Sequence, residues 1–222
     1  MEIEGIIGKK LGMTQVFDDK GEVHGTTIIE AGPCTVVQVK NPENDGYSAV
    51  QLGFGTAKRL IKPLKGHLKG LGDFRHLREF KVADPSQWQP GQKVGVELFN
   101  AGDYVDIIGV SKGRGFAGGV RRWGFRGGPK THGQSDRTRA PGSIGPGSSP
   151  GRVAKGLHMG GHMGDARVTA RNLRVLESDP ARGLLFIEGS VPGAKNGLLR
   201  ICLSPKAERA RAKAAKAQEK AD

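Results

Sequence analysis

The chain has 222 residues, room for one sizeable domain or two small ones. A net charge of +13 and a pI near 10.0 point to a polyanionic partner. No run approaches about 18 apolar residues and no basic amphipathic helix carries large apolar side chains, so neither a membrane span nor a membrane-surface helix is expected. The opening Met1-Glu-Ile-Glu-Gly has neither the basic start nor the apolar core of an export signal, and an intracellular, cytoplasmic protein is expected.

Residues 1–55 read as short strands. Ile6-Ile7 and Gln15-Val-Phe17 precede Asp18-Asp-Lys-Gly21, a hairpin-like turn closed by glycine. His24–Glu30 is β-branched, Gly32-Pro33 breaks it, and Thr35–Val39 resumes. Asn41–Gly46 is a further turn, followed by a strand over Tyr47–Phe54. Strands at roughly ten-residue spacing suggest a barrel or sandwich. The segment 56–84 mixes Lys and Leu around Pro63, Gly66, Gly70 and Gly72, and is expected to be a partly helical insert with a short helix from about Pro63 to Lys69. Gly91–Phe99 and Tyr104–Val110 return to strand, as do Arg167–Ala170, Leu173–Leu176, Leu184–Ile187 and Leu198–Leu203. Cys34 and Cys202 lie in apolar surroundings within two of these stretches and read as buried, reduced thiols. Ser204-Pro205 looks like an N-cap and first helical residue for a basic, alanine-rich tail over 205–222 that has no large apolar face.

Between the strands at 104–110 and 167–170 lies a different kind of sequence. Residues 109–165 hold 17 glycines and ten Lys or Arg against two acids, Asp136 and Asp165, a local charge of +8. Residues 1–108 carry 13 bases and 14 acids, so the globular part is nearly neutral. Only seven of the 57 residues are Leu, Ile, Val or Phe, below the level of about one-fifth under which charged chains tend not to order alone. An insertion of this composition needs a polyanion to order it, and RNA suits it best. Arg121-Arg-Trp-Gly-Phe-Arg126 interleaves cations for phosphates with flat faces for unpaired bases. Glycines let the main chain approach closely. Local packing of Trp123 and Phe125 is the alternative.

Two catalytic or metal patterns occur. Gly113-Arg-Gly-Phe-Ala-Gly118-Gly-Val120 matches a nucleotide-binding G-x-G-x-x-G-x-V, but a dinucleotide site needs a following helix, which Gly124, Gly127, Gly128 and Pro129 cut to two turns at most. His158-Met-Gly-Gly-His162 has H-x₃-H spacing, but its two glycines argue against the helix that would aim both rings at one metal. No metal, no cofactor and no catalytic residue is expected. Besides an RNA-binding structural protein, a nucleic-acid chaperone or DNA-compacting protein remains open, as does an enzyme using the 113–120 loop.

Several strings carry a resemblance. Gly8-Lys-Lys-Leu-Gly-Met-Thr14, Asp45–Gln51, Ser111–Gly118, Arg122–Pro129, Thr131-His-Gly133, Arg139–Gly145, Pro150–Val153, Gly160–Thr169 and Val191–Ala194 resemble, in unbroken order over about residues 2–204, the third protein of the large ribosomal subunit in its bacterial form. The resemblance implies a mainly β fold: a translation-protein-type β-barrel from 1–110 and 166–204, with a small helical insert at 56–84 and a long basic glycine-rich extension, 111–165, penetrating rRNA. It implies a structural constituent of the large subunit that binds rRNA near its 3′ end, nucleates assembly and extends toward the peptidyl-transferase centre. Trp123 matches the tip tryptophan of the extension, and residues 139–156 a second loop beside it. Large-subunit rRNA and large-subunit proteins fourteen and nineteen are the implied partners. The rRNA-binding residues expected are Lys112, Arg114, Arg121, Arg122, Trp123, Phe125, Arg126, Lys130, His132, Arg137, Arg139, Arg152, Lys155, His158 and His162. This chain departs from the family at Ser149, where some relatives carry a glutamine that is methylated; at Gly124, where Asn or His is commoner; and at Leu157-His158, where a basic pair is common.

Overall fold

The computed structural model describes residues 3–18 and 20–207. They form two compact units, one of the described residues within 3–110 and 167–207 and one of Ser111–Ala166. The tail expected over 205–222 lies outside the described residues beyond Ala207, whose amide donates to Ser204 Oγ at 3.3 Å in the capping bond that the Ser-Pro pair predicts.

The first unit is built on a hairpin. β1 (Gly5–Phe17) and β2 (Val23–Ala31) pair antiparallel across a turn in which Asp18 Oδ1 accepts the amide protons of Lys20 and Glu22 at 3.0 and 2.8 Å. The Glu22 amide bond leads in holding the Asp18 carboxyl below its usual range. There follow β3 (Cys34–Lys40), a helical turn α1 (Pro42–Asp45), β4 (Ala49–Thr56), α2 (Lys62–His67), β5 (Phe74–Lys81), β6 (Lys93–Val94) and β7 (Tyr104–Val110). After the second unit, which holds β8 (Phe116–Ala117), α3 (Gly119–Trp123) and β9 (Gly161–His162), the chain returns with β10 (Arg167–Asp179), β11 (Leu184–Glu188) and β12 (Leu198–Leu203).

Six strands close into a barrel in the order β1-β12-β7-β10-β11-β2, every neighbouring pair antiparallel. Two-residue alternation drives one face inward: Val105 and Ile107 from β7, Leu185 and Ile187 from β11, and Leu199 and Ile201 from β12 are almost wholly buried. Each such side chain contributes about 1.5–3 kcal/mol on burial. β10 stays in register by bulging between Ala170 and Leu173, where Asn172 turns to φ 55° and its amide donates to Asp106 Oδ1 at 2.8 Å. A second sheet, β5-β4-β3-β6, adds Val36, Val50, Leu52 and Phe80 to the same core.

The segment 56–84 is partly helical, in α2, and also holds a strand that the sequence reading lacked: Phe74–Lys81 pairs along β4, with Val50 opposite Phe80 and Phe54 opposite His76. Five charged residues or histidines in that strand hide its alternation; the partner strand supplies what the pattern lacks. The stretch 91–99 is not one strand. Only Lys93–Val94 pairs with β3, and Val96–Leu98 forms a 3₁₀ turn. Val96 and Phe99, three apart and each 1% exposed, enter the core together through that turn. Cys34 and Cys202 are buried and unpaired.

Candidate nucleic-acid interface

The barrel itself fixes where the second unit begins and ends. Val110 and Arg167 are paired residues of β7 and β10, so the inserted segment leaves and returns at adjacent points on one ladder. Within the unit the two arms run antiparallel. The Ser111 amide donates to Ala166 O at 2.9 Å, Arg114 N to Met163 O at 2.8 Å, and Met163 N to Gly115 O at 2.9 Å, before Phe116 pairs with His162 in the β8–β9 ribbon. Gly164 sits in this neck at φ 77°, where an added Cβ would collide with the Lys112 carbonyl oxygen; only glycine lets the arms come this close.

Beyond the ribbon, α3 makes little more than one turn. Gly118 starts it and Gly124, at φ 72°, ends it. A helix of five residues aims no useful dipole, which removes the phosphate-site geometry that the G-x-G-x-x-G string would need. The helix instead sets Arg122 and Trp123 against the returning arm. Trp123 Nε1 donates to Met159 O at 2.8 Å and Arg122 Nη1 to the same oxygen at 3.0 Å. The His158 ring stacks on Trp123 with centroids 3.8 Å apart and planes 1° apart, Phe125 lies 6.5 Å from His158, and the Arg122 guanidinium lies 4.9 Å from the Trp123 ring. Trp123 remains 41% exposed, so packing and exposure coexist in the same ring.

The two histidines of the H-x₃-H string go separate ways: His158 stacks on Trp123 and His162 belongs to β9. Among the described residues the three-ligand grouping is elsewhere, at Asp18, Glu22 and His24 on the β1–β2 hairpin, where His24 already bonds Glu188 at 3.1 Å.

Among the described residues of this unit, Ala117 alone is fully buried. Lys112, Arg114, Arg121, Arg126, Lys130, His132, Arg137, Arg139, Arg152, Lys155, His158 and His162 are exposed, while Arg122 and Phe125 are half-buried. None of the ten bases makes an ion pair among the described residues; the ion pairs found there lie on the barrel unit, as between Lys9 and Glu30 or Lys40 and Glu79. The result is a glycine-rich surface of uncompensated cations with aromatic rings at one place.

A second basic surface escaped the sequence reading. Lys58, Arg59, Lys62, Lys65, Lys69, Arg75 and Arg78 are all exposed on and around α2 and β5, with Asp73 the one acid among residues 58–78. The even charge balance of residues 1–108 concealed it; a count in a 20-residue window shows it.

Comparison with known proteins gives the family. The family model described as Ribosomal protein L3 matches residues 80–183. The large ribosomal subunit protein uL3 of Dehalococcoides mccartyi strain BAV1 is 54% identical over 199 residues, covering 90% of this chain and 97% of the relative. The chain belongs to the uL3 family. The uL3 of Herpetosiphon aurantiacus is 53% identical over 208 residues, 92% of this chain and 98% of its own, and that of Thermotoga maritima 52% over 198 residues, 88% and 95%. Membership in the uL3 family makes the chain a structural constituent of the large ribosomal subunit and not an enzyme. Among the described residues, no helix is long and apolar enough to cross a membrane.

Proposed function

We propose that this chain is a primary rRNA-binding protein that nucleates large-subunit assembly near the 3′ end of the rRNA, in the bacterial cytoplasm, with residues 111–165 as its rRNA-penetrating extension. The observation that carries this is the set of ten bases in that segment, nine exposed and Arg122 half-buried, with no acid paired to them among the described residues. Such charges repel one another in the free chain and gain most beside phosphates. The fifteen residues from Lys112 to His162 named above form the interface. Trp123 and the 139–156 loop approach the peptidyl-transferase centre, and the basic surface of residues 58–78 holds the barrel to rRNA at the subunit exterior. Large-subunit proteins fourteen and nineteen are the neighbours.

Fixing a residue of the extension costs about 1–2 kcal/mol of chain entropy, and a unit with one buried residue repays little of it internally. Phosphate contacts must offset the rest, which suits permanent assembly better than rapid exchange.

The test is sedimentation of a lysate through a magnesium-containing gradient, following this chain by immunoblot. Persistence in the large-subunit peak through a high-salt wash is the expected result. Recovery near the top, free of rRNA, would overturn the reading and favour a chaperone, which would bind duplex DNA and rRNA alike.

A further inference from the structure

The second unit holds a cavity of about 450 Å³ that none of the motifs above accounts for. It is formed where the chain around Arg126–Gly128 passes the chain around Arg137–Gly142. Gly128 N donates to Thr138 O at 3.0 Å, and Ala140 N to Arg137 O at 3.2 Å. The crossing depends on missing side chains. A Cβ on Gly127, at φ 76°, would run into the Thr138 carbonyl oxygen, and one on Gly128 would lie 2.9 Å from the Arg137 oxygen. Glycine at both positions is thus what lets these two stretches come together.

The residues that line the cavity include Phe125, Pro141, Arg126, Arg137 and Gln134. Phe125 and Gln134 are half-buried and both arginines are exposed. Neither arginine is ion-paired, and the Gln134 side chain makes no hydrogen bond among the described residues. An aromatic face and a proline suit a flat heterocycle. A free amide can donate to and accept from the edge of a base, and two unpaired guanidinium groups suit the phosphates on either side of it. Apolar ligands would leave these cations desolvated. An anion alone would make no use of Phe125 and Pro141. The volume falls within the range of small-ligand sites, about 300–1,000 Å³, and exceeds what a single phosphate fills.

We infer that this cavity receives one unstacked nucleotide of the large-subunit rRNA, its base against Phe125 and Pro141 with its edge read by Gln134, and its flanking phosphates on Arg126 and Arg137. The inference rests on the RNA-binding reading and adds to it a site of one-nucleotide specificity. It assigns Gln134 and Pro141 a role that charge and motif analysis did not.

The test uses the full chain and a 3′-terminal fragment of large-subunit rRNA. Ala140→Phe fills the cavity and leaves every charge in place. Affinity measured by filter binding over a salt series should fall about 5- to 150-fold, the loss of one base–aromatic stack, with an unchanged salt slope. Chemical probing of the wild-type complex should show one unpaired base protected at its Watson–Crick edge, and that base should become reactive in Ala140→Phe. Gln134→Ala, a milder change, should expose the same base with little loss of affinity. If the wild-type chain fails to bind the fragment, the RNA reading itself falls. If the wild type binds and neither variant alters affinity or any base's reactivity, the cavity is not a nucleotide site. A smaller salt slope in Ala140→Phe, with no base exposed, would make it a phosphate site and also overturn the inference.

Discussion

Replacing Trp123 by alanine removes three interactions at once, and their geometry sets the size of the effect. The parallel stack on His158, 3.8 Å between centroids, contributes about 0.5–1.5 kcal/mol. The 2.8 Å bond from Nε1 to Met159 O contributes about 0.5–1.5 kcal/mol net. The Arg122 guanidinium at 4.9 Å adds about 0.5–1 kcal/mol. Because the ring is 41% exposed, values toward the low end of each range apply, and the sum, which spans about 1.5–4 kcal/mol, is taken as about 2 kcal/mol of local stability. That corresponds to about a 30-fold shift in the opening equilibrium of the knot that ties α3 to the returning arm. Amide hydrogen exchange reads it directly. The Arg122 amide, bonded to Gly118 O at 2.9 Å, and the Gly124 amide, bonded to Val120 O at 3.1 Å, should exchange about 30-fold faster in Trp123→Ala. In Trp123→Phe, which keeps a stacking face and loses the donor, they should exchange about 5-fold faster. The amide of Ile107 in the barrel should not change. Equal exchange of Arg122 and Gly124 in wild type and Trp123→Ala would refute the claim that these contacts hold the segment in place.

Other expectations are simpler. If six to ten of the extension's bases engage phosphates, rRNA affinity should fall about 10³- to 10⁵-fold between about 50 and 200 mM salt, and Lys130→Ala and Arg152→Ala should each reduce the logarithmic slope by about 1. Ile107→Ala, in the fully buried centre of β7, should cost about 2–5 kcal/mol in urea unfolding, whereas Val110→Ala, 54% exposed at the strand's end, should change stability by about 0.5 kcal/mol or less. Burial pushes the thiols of both Cys34 and Cys202 up to about 11 from an ordinary 9.0. Iodoacetamide should therefore label neither in the native protein at pH 8 and both in urea. The unfolded chain releases these protons first, so the thiol contribution to stability is whole below pH 9 and is lost as pH rises from about 9 to about 11, as pH-dependent unfolding midpoints would show.

What the sequence made legible follows from how local each signal is. β7 and β11 announce themselves as short apolar, β-branched runs bounded by turn residues, and in the fold burial alternates along each. β5 does not, since Arg75, His76, Arg78 and Glu79 interrupt its alternation and its strand character comes from pairing with β4. The single strand β10 reads as two in the sequence, because the bulge at Asn172 resets the phase of the alternation between Ala170 and Leu173. Charge and glycine content single out residues 109–165, being sums over many residues. The union of Trp123 with His158 and Met159, 35 or more positions apart, and the cavity between the 126–128 and 137–142 stretches depend on one turn at Gly124 and one crossing at Gly127, which no local pattern encodes.

The closing seam of the barrel has a consequence for how the protein is made. β1 needs β12 beside it, with Gly5 opposite Cys202 and Lys9 opposite Leu198, so the first strand to emerge waits for nearly the last. At about 5–20 residues per second, the intervening chain takes about 10–40 s to synthesise. Throughout that interval the core side chains of β1 and β2, including Ile6, Ile7 and Ile29, lack part of their cover. The cationic insertion, lying between β7 and β10, leaves the ribosome before the seam can close. A nascent chain thus presents its cationic insertion while its own fold is still open, and translation must run almost to completion before the barrel is finished.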